Sequence, residues 1–274
     1  MNIVVFGLRY HPYTIDVLES LLEQNIQPSA LIEFNPKYKT SGISTSSDVD
    51  DEFLSKISLK MVYSPWAMKM ALRHPLFSLT MVLKIIRKKP ADKKPRDFLK
   101  GVTVYSVNSH NDDTCAAILK SISPDVIVLA PASTILRQNV LSIPKIGTVN
   151  AHMGKLPEFR GMNALEWTIL KTKTGYVSVH FVDEGVDTGD ILSVRQIPLN
   201  KPDIGEMRVI ARKEMAKLIA EVLVTLRDGH INARRQKNDD GKQYFAMHKK
   251  LLGFADKTLE KKTADIQEQE KKLL

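Results

Sequence analysis

A chain of 274 residues with 43% hydrophobic content can bury one sizeable core plus an appendage, or two small domains, and one main domain is the simpler expectation. Its 40 basic against 31 acidic residues leave a formal charge of +9, which points to anionic partners and leaves phosphorylated substrates, nucleic acid and acidic lipid open. The single Cys115 excludes an internal disulfide, and no uninterrupted apolar run approaches the ~20 residues that span a bilayer, so a protein of the reducing cytoplasm is expected.

Residues 2–6 form a continuous apolar run ending at Gly7, and 14–22 repeat apolar residues at helical spacing. The opening MNIVVFG is too short for the apolar centre of a signal peptide and reads as a first strand. With 30–34 as the second strand, the order strand, helix, strand predicts a right-handed parallel unit. No G-x-G-x-x-G follows the first strand, because Gly7 leads into LRYHPYT, and a dinucleotide site loses its best support. Residues 37–51 are polar and Ser/Thr-rich, the composition of a loop able to close over a ligand. Residues 64–89 are apolar with basic flanks, and Pro75 divides them into two helices. This insertion, near 64–95, reads as internal packing or a homodimer contact, with peripheral contact to an anionic membrane through 64–89 as the other reading.

The α/β alternation resumes at 102–107, continues through a helix at 112–121 that carries Cys115 as a packed thiol, and reaches a fully apolar strand at 126–129. A strand at 146–150, a helix at 163–170, strands at 176–182 and 191–197 and a long amphipathic helix at 204–226 follow. The expected fold is α/β, a Rossmann-like, mostly parallel open sheet with helices on both faces. The expected division is a domain at 1–205, then 206–274 holding the long helix, a short C-terminal extension at 233–250 and a charged, helix-prone tail at 257–274, read as a solvated or frayed helix.

Chemistry concentrates in GTVNAHMGKLPEFRG, residues 147–161. Asn150 and His152 stand two apart in an extended segment, so both side chains project from one face while Val149 and Ala151 take the other. Downstream, VSVHFVDEGVDTGDIL ends a strand in an acidic, Gly-rich loop whose Asp187 reaches the pair if the strand ends are neighbours. An amide that donates to a developing oxyanion, an imidazole that carries a proton and a carboxylate that orients the ring suit acyl transfer. His180 alternates with Val179 and Phe181 as a packing or substrate-contact residue, and Arg160 either holds an anion or fixes its turn. Neither H-x-x-x-H nor paired Cys is present to hold a metal, and no G-x-S-x-G elbow supplies a Ser nucleophile.

The combination Asn150-Ala151-His152, Leu156-Pro157, Arg160-Gly161 and Val182-Asp183-Glu184-Gly185-Val186-Asp187-Thr188-Gly189 resembles the folate-dependent formyltransferase family. Met153 and Gly154 stand where members often carry Pro and Ser. The resemblance implies transfer of a formyl group from 10-formyltetrahydrofolate without a metal, with Asn150, His152 and Asp187 as catalytic residues. It also implies a folate pocket lined by Leu129, Ala130, Pro131, Ala132 and Ser133 with Val182 and Asp183, and Arg160, Gly161 and His180 against the acceptor. Family enzymes that act on initiator methionyl-tRNA add a β-barrel domain, for which no strand patterns follow Gly229, so nucleic acid is disfavoured. Purine-pathway members usually stop soon after the long helix, and the hydrolases carry a regulatory domain before the catalytic one. The expected acceptor is therefore a small anionic amine such as a nucleotide-linked amino sugar. Methionyl-tRNA, glycinamide ribonucleotide, or a non-catalytic role as a membrane-surface or protein-binding module are the alternatives.

Overall fold

The computed structural model describes residues 1–34, 42–44, 99–131, 135–237 and 239–273. The insertion expected near 64–95 and most of the polar loop at 37–51 lie outside the described residues. In chain order the elements are β1 (Ile3–Gly7), α1 (Pro12–Glu23), β2 (Ala30–Phe34), β3 (Gly42–Ser44), β4 (Thr103–Val107), α2 (Asp113–Ile122), β5 (Val126–Ala130), α3 (Gln138–Leu141), β6 (Gly147–His152), β7 (Phe159–Gly161), α4 (Ala164–Thr172), β8 (Gly175–Phe181), β9 (Ile191–Ile197), α5 (Ile204–Arg227), β10 (Lys242–Tyr244) and α6 (Lys249–Leu273).

β1 and β5 are unbroken apolar runs because each is covered by a strand on both edges and buried along its length. Among the described residues the main sheet has eight strands in the order β3-β4-β2-β1-β5-β6-β8-β9, with β4, β2, β1, β5 and β6 parallel and β8 and β9 antiparallel to their neighbours. This is the expected Rossmann-like architecture. From β1 the chain moves outward through β2, then returns through α2 to place β5 on the other edge of β1. Connections leaving in opposite directions open a crevice at the carboxyl ends of β1 and β5, where open α/β sheets bind ligands.

The helices start where sequence chemistry supplies caps. Asp112 accepts from the Cys115 amide at 2.7 Å, Asp203 from the Glu206 amide at 2.9 Å, and α1 opens with Pro12 behind His11. One core cluster joins Phe6, Ile32, Ile127 and Leu129 of the sheet to Cys115 and Leu119 of α2, so Cys115 is a packed thiol that burial pushes up to about 12.

Residues on both sides of position 205 belong to the same compact unit, formed by Met1–Ile43 and Gly101–Leu274. The reason is the long helix: α5 buries Met207, Ala211, Met215, Ile219 and Leu223 while packing against α1, β6, β8 and β9. The C-terminal tail belongs to a helix in which Leu259 is the buried residue among otherwise exposed or half-buried positions at 257–269. α6 is continuous and packs on α4 and α5, with Ala255 and Leu259 fully buried, and Asp256 accepts from the Ile204 amide at 3.0 Å. A charged sequence conceals one narrow apolar stripe that is enough to dock it. No helix among the described residues is long and apolar enough to cross a membrane.

Candidate active site

Sheet register assembles the site. β6 and β8 pair antiparallel with Asn150 opposite His180 and His152 opposite Ser178, so these four side chains share one face while Val149 and Ala151 are buried on the other. Asn150 Nδ2 lies 3.2 Å from His180 Nε2. The loop after β8 then brings Asp187 against both rings, Oδ2 at 3.3 Å from His152 Nδ1 and Oδ1 at 3.5 Å from His180 Nε2. Asn150, His152 and Asp187, expected together from the sequence, do converge, and His180 joins them.

Backbone carbonyls fix the proton on each ring, since a carbonyl can only accept. His152 Nε2–H donates to the Phe159 carbonyl at 2.7 Å, and His180 Nδ1–H donates to the Phe181 carbonyl at 2.6 Å. In their neutral forms both rings present the other nitrogen, a bare lone pair, toward Asp187. The Asn150 amide donates to that lone pair on His180.

Burial lowers the His152 pKa below its ordinary value, with the Asp187 charge pulling upward, His180 adding to the lowering and the Phe159 carbonyl raising it. For Asp187, burial alone would raise the carboxyl. With both rings protonated, a hydrogen bond from His180 Nε2–H, the charges of His152 and His180 and the Gly161 amide at 2.9 Å outweigh it and hold the carboxyl down at about 2. Asp187 has φ +54, a left-handed conformation that costs a non-glycine residue energy and survives because the loop is braced. Asp183 Oδ1 accepts from the Gly185 amide at 3.0 Å and the Thr188 hydroxyl at 2.6 Å.

Beside this cluster lies a cavity of about 330 Å³ lined by Leu129, Pro131, Ile135, Leu136, Asn150, Ala151, His180, Val182, Asp183, Asp187, Tyr13 and Met215, with Gly185 and Val186. Of the expected pocket residues, Leu129, Pro131, Val182 and Asp183 line it. Ala130 does not, because its carbonyl accepts from the Thr14 hydroxyl at the start of α1, and Ala132 and Ser133 lie outside the described residues. His152 stands away from the cavity wall, 7% exposed, touching Asp187. Arg160 and Gly161, expected against the acceptor, do not line this cavity. Arg160 is 6% exposed and donates through Nε to Gln236 Oε1 at 3.1 Å and through Nη2 to the Lys237 carbonyl at 2.9 Å. Gly161 instead presents its amide to Asp187. Sequence reading assigned no role to Tyr13, Met215 or Gln236. Tyr13 and Met215 sit on amphipathic helices and carry no local signal that separates a cavity wall from core.

Residues 80–223 match the family model described as Formyl transferase, slightly more than half of the chain. The chain belongs to the formyl transferase family. Among sequence relatives of this formyl transferase family member, the methionyl-tRNA formyltransferase of Syntrophus aciditrophicus is 37% identical over 148 residues, 52% of this chain and 46% of the relative. That of Clostridioides difficile is 33% identical over 159 residues, 57% of this chain and 50% of the relative. The chain thus spans about half the length of the curated relatives it matches. In fold it is similar to a sugar N-formyltransferase from Shewanella sp FDAARGOS_354 (TM-score 0.54, 12% identity, 94% of this chain and 87% of that one). It is likewise similar to glycinamide ribonucleotide transformylase 1 from Symbiobacterium toebii (TM-score 0.54, 18% identity, 86% and 94%). The matched segment contains Asn150, His152, Arg160, His180 and Asp187, whereas Gln236 and β10 lie beyond it.

Proposed function

We propose that this protein transfers a formyl group from 10-formyltetrahydrofolate to the amine of a small anionic acceptor, an amino sugar linked to a nucleotide being the preferred class. The observation that carries the reading is the cluster in which His152 and His180 meet one carboxylate, Asp187, and Asn150 meets His180, beside a cavity with mainly apolar walls. The cavity fits such a donor: Leu129, Ile135, Leu136, Val182, Val186 and Met215 suit the faces of a fused ring, and Asn150, His180 and Asp187 line the same space. The donor, when bound, supplies an electrophilic carbonyl carbon.

Asn150 has two amide hydrogens. One is directed to His180 Nε2, which fixes the amide's orientation, and the second is available to an oxyanion forming in the cavity. Asp187 faces the cavity as the proton acceptor for an attacking amine. A carboxyl held at about 2 does not retain that proton, and His152 Nδ1, 3.3 Å behind it, takes it up. Protonation turns a lone pair facing a carboxylate into an ion pair, and burial returns the proton readily to a leaving nitrogen.

A sugar N-formyltransferase shares the fold over 94% of this chain, which supports an amino-sugar acceptor. Sequence identity of 37% to a methionyl-tRNA formyltransferase and the charge of +9 favour methionyl-tRNA as the second reading. Incubation with 10-formyltetrahydrofolate and a panel of nucleotide-linked amino sugars, glycinamide ribonucleotide and methionyl-tRNA tests both, with tetrahydrofolate release and formamide formation as readouts. Formylation of an amino sugar and its loss in His152→Ala are expected. Formylation of methionyl-tRNA alone would replace the acceptor, and no product from folded protein across the panel would overturn the activity.

A further inference from the structure

The residue at the centre of the site sits in a left-handed conformation on a loop whose Glu184 and Gly185 face solvent, and besides the internal brace from Asp183 it has a support from outside the loop. That support comes from the C-terminal extension. Gln236 Nε2 donates to the Asp187 carbonyl at 3.1 Å and to the Gly189 carbonyl at 2.5 Å, while its Oε1 accepts from Arg160 Nε at 3.1 Å. The residue after Arg160 is Gly161, whose amide returns to Asp187 Oδ2 at 2.9 Å. The circuit closes on itself: Asp187 backbone, Gln236 amide, Arg160 guanidinium, Gly161 amide, Asp187 carboxylate.

The extension is fastened on both sides of the circuit. Arg234 and Ile191 exchange backbone hydrogen bonds, each 2.8 Å, and β10 pairs in parallel with β7, setting Gln243 beside Arg160 and Tyr244 beside Gly161. Gly161 has φ +87 and a Cβ there would collide with the Tyr244 carbonyl, so only glycine lets β10 approach closely enough to aim the Gly161 amide. Gln236 is 9% exposed and Arg160 6%, so unmet polar groups on either would be costly and the pair is geometrically determined.

We infer that Gln236 is a positioning residue for Asp187, acting with Arg160, and that the extension beyond residue 229 is part of the active unit. The inference rests on the formyl-transfer reading for its kinetic consequence but not for its structural one. Glutamine is specifically required: a glutamate of the same shape would still pair with Arg160, yet would set carboxylate oxygens against the Asp187 and Gly189 carbonyls in place of N–H donors. Released from above, Asp187 shifts relative to His152 and to the Gly161 amide.

The test is Gln236→Glu in the full chain. Steady-state kinetics should show kcat lowered about 10²-fold, the scale expected for a misplacement near 1 Å, with the KM for the donor changed far less. Amide exchange by NMR gives a readout independent of activity: protection at Gly161, whose partner is Asp187 Oδ2, should fall, while protection at Met162, bonded to the Tyr244 carbonyl, should hold. Gln236→Asn, which keeps the donor on a shorter arm, should fall between the two and stands in if the glutamate variant does not fold. Unchanged kcat in a variant of an active enzyme, or unchanged Gly161 protection whatever the activity, would overturn the inference. A wild-type protein inactive on every amine but losing Gly161 protection in the variant would sink the formyl-transfer reading and leave the positioning role standing.

Discussion

His152 gives its Nε2 proton to the Phe159 carbonyl at 2.7 Å, and the same ring therefore meets Asp187 with Nδ1. The neutral ring is the form able to receive a proton there. Because burial lowers its pKa below 6.5, with Asp187 opposing the drop, His152 is neutral at physiological pH. Activity should be flat near neutrality and fall on acidification below the ordinary imidazole range. Removing the charge that raises the pKa, by Asp187→Asn, should move the His152 titration to lower pH. NMR titration of the ring reads this directly, and an unmoved or upward-moved midpoint would contradict the assignment.

The same groups predict acid sensitivity. Asp187 titrates at about 2 in the folded state against 3.8 ordinarily, so the unfolded chain binds the extra proton between those values and stability is lost as pH falls from about 4 to 2. At 1.36 kcal/mol per unit the contribution is roughly 2 kcal/mol, present in full above pH 4. For His152 the folded pKa is also the lower one, so its unfolded form protonates first and stability begins to decline as pH falls through 6.5. Urea unfolding across this range should give a shallower acid limb below pH 4 in Asp187→Asn than in wild type.

Gly154 is a close-packing glycine beside the ring. An added Cβ would lie 2.6 Å from the Ala164 Cβ and 3.0 Å from His152 Nε2, so either α4 or the imidazole must give way. Gly154→Ala should cost about 1–3 kcal/mol as overpacking, and push Nε2 off the Phe159 carbonyl. Thermal unfolding and the His152 ring shifts measure the two effects separately. A variant with native stability and an unshifted ring would show that the contact is relieved elsewhere.

The docked tail offers a test away from the site. Leu259 is fully buried where α6 meets α4 and α5, so Leu259→Ala should destabilise by about 2–5 kcal/mol, with a cooperative shift of the unfolding midpoint. A solvated helix would show no such loss.

Most of the sheet is legible because its strands carry strong local signals: β1 and β5 as unbroken apolar runs, β6 through the alternation that sets Asn150 and His152 on one face. The convergence on Asp187 is legible only through the order of motifs, since it depends on antiparallel pairing of β6 and β8 across 30 residues of chain. What escapes is non-local and polar. Arg160 reads equally as an anion holder or a turn-fixing residue until Gln236, 76 positions away, takes its guanidinium. Ala130 sits between two cavity residues, yet strand geometry turns its carbonyl to Thr14. The three-residue strands β7 and β10 are too short for periodicity to register, although they aim the Gly161 amide.

Asn150 gives the sharpest separation of chemistry from folding. The β6–β8 register sets it opposite His180, where Nδ2 lies 3.2 Å from Nε2. Asn150→Asp preserves the shape but removes both N–H donors and places a second negative group near Asp187. His180 then gains an acceptor where it had a donor, and its Nε2 is better served by a proton. The oxyanion loses its donor, so kcat should fall about 10²-fold to 10³-fold. Asn150→Ala should lose a comparable factor without the added charge, and both variants should retain the wild-type far-UV spectrum. If the aspartate variant kept activity within a few-fold of wild type, the oxyanion donor would have to be sought elsewhere in the cavity.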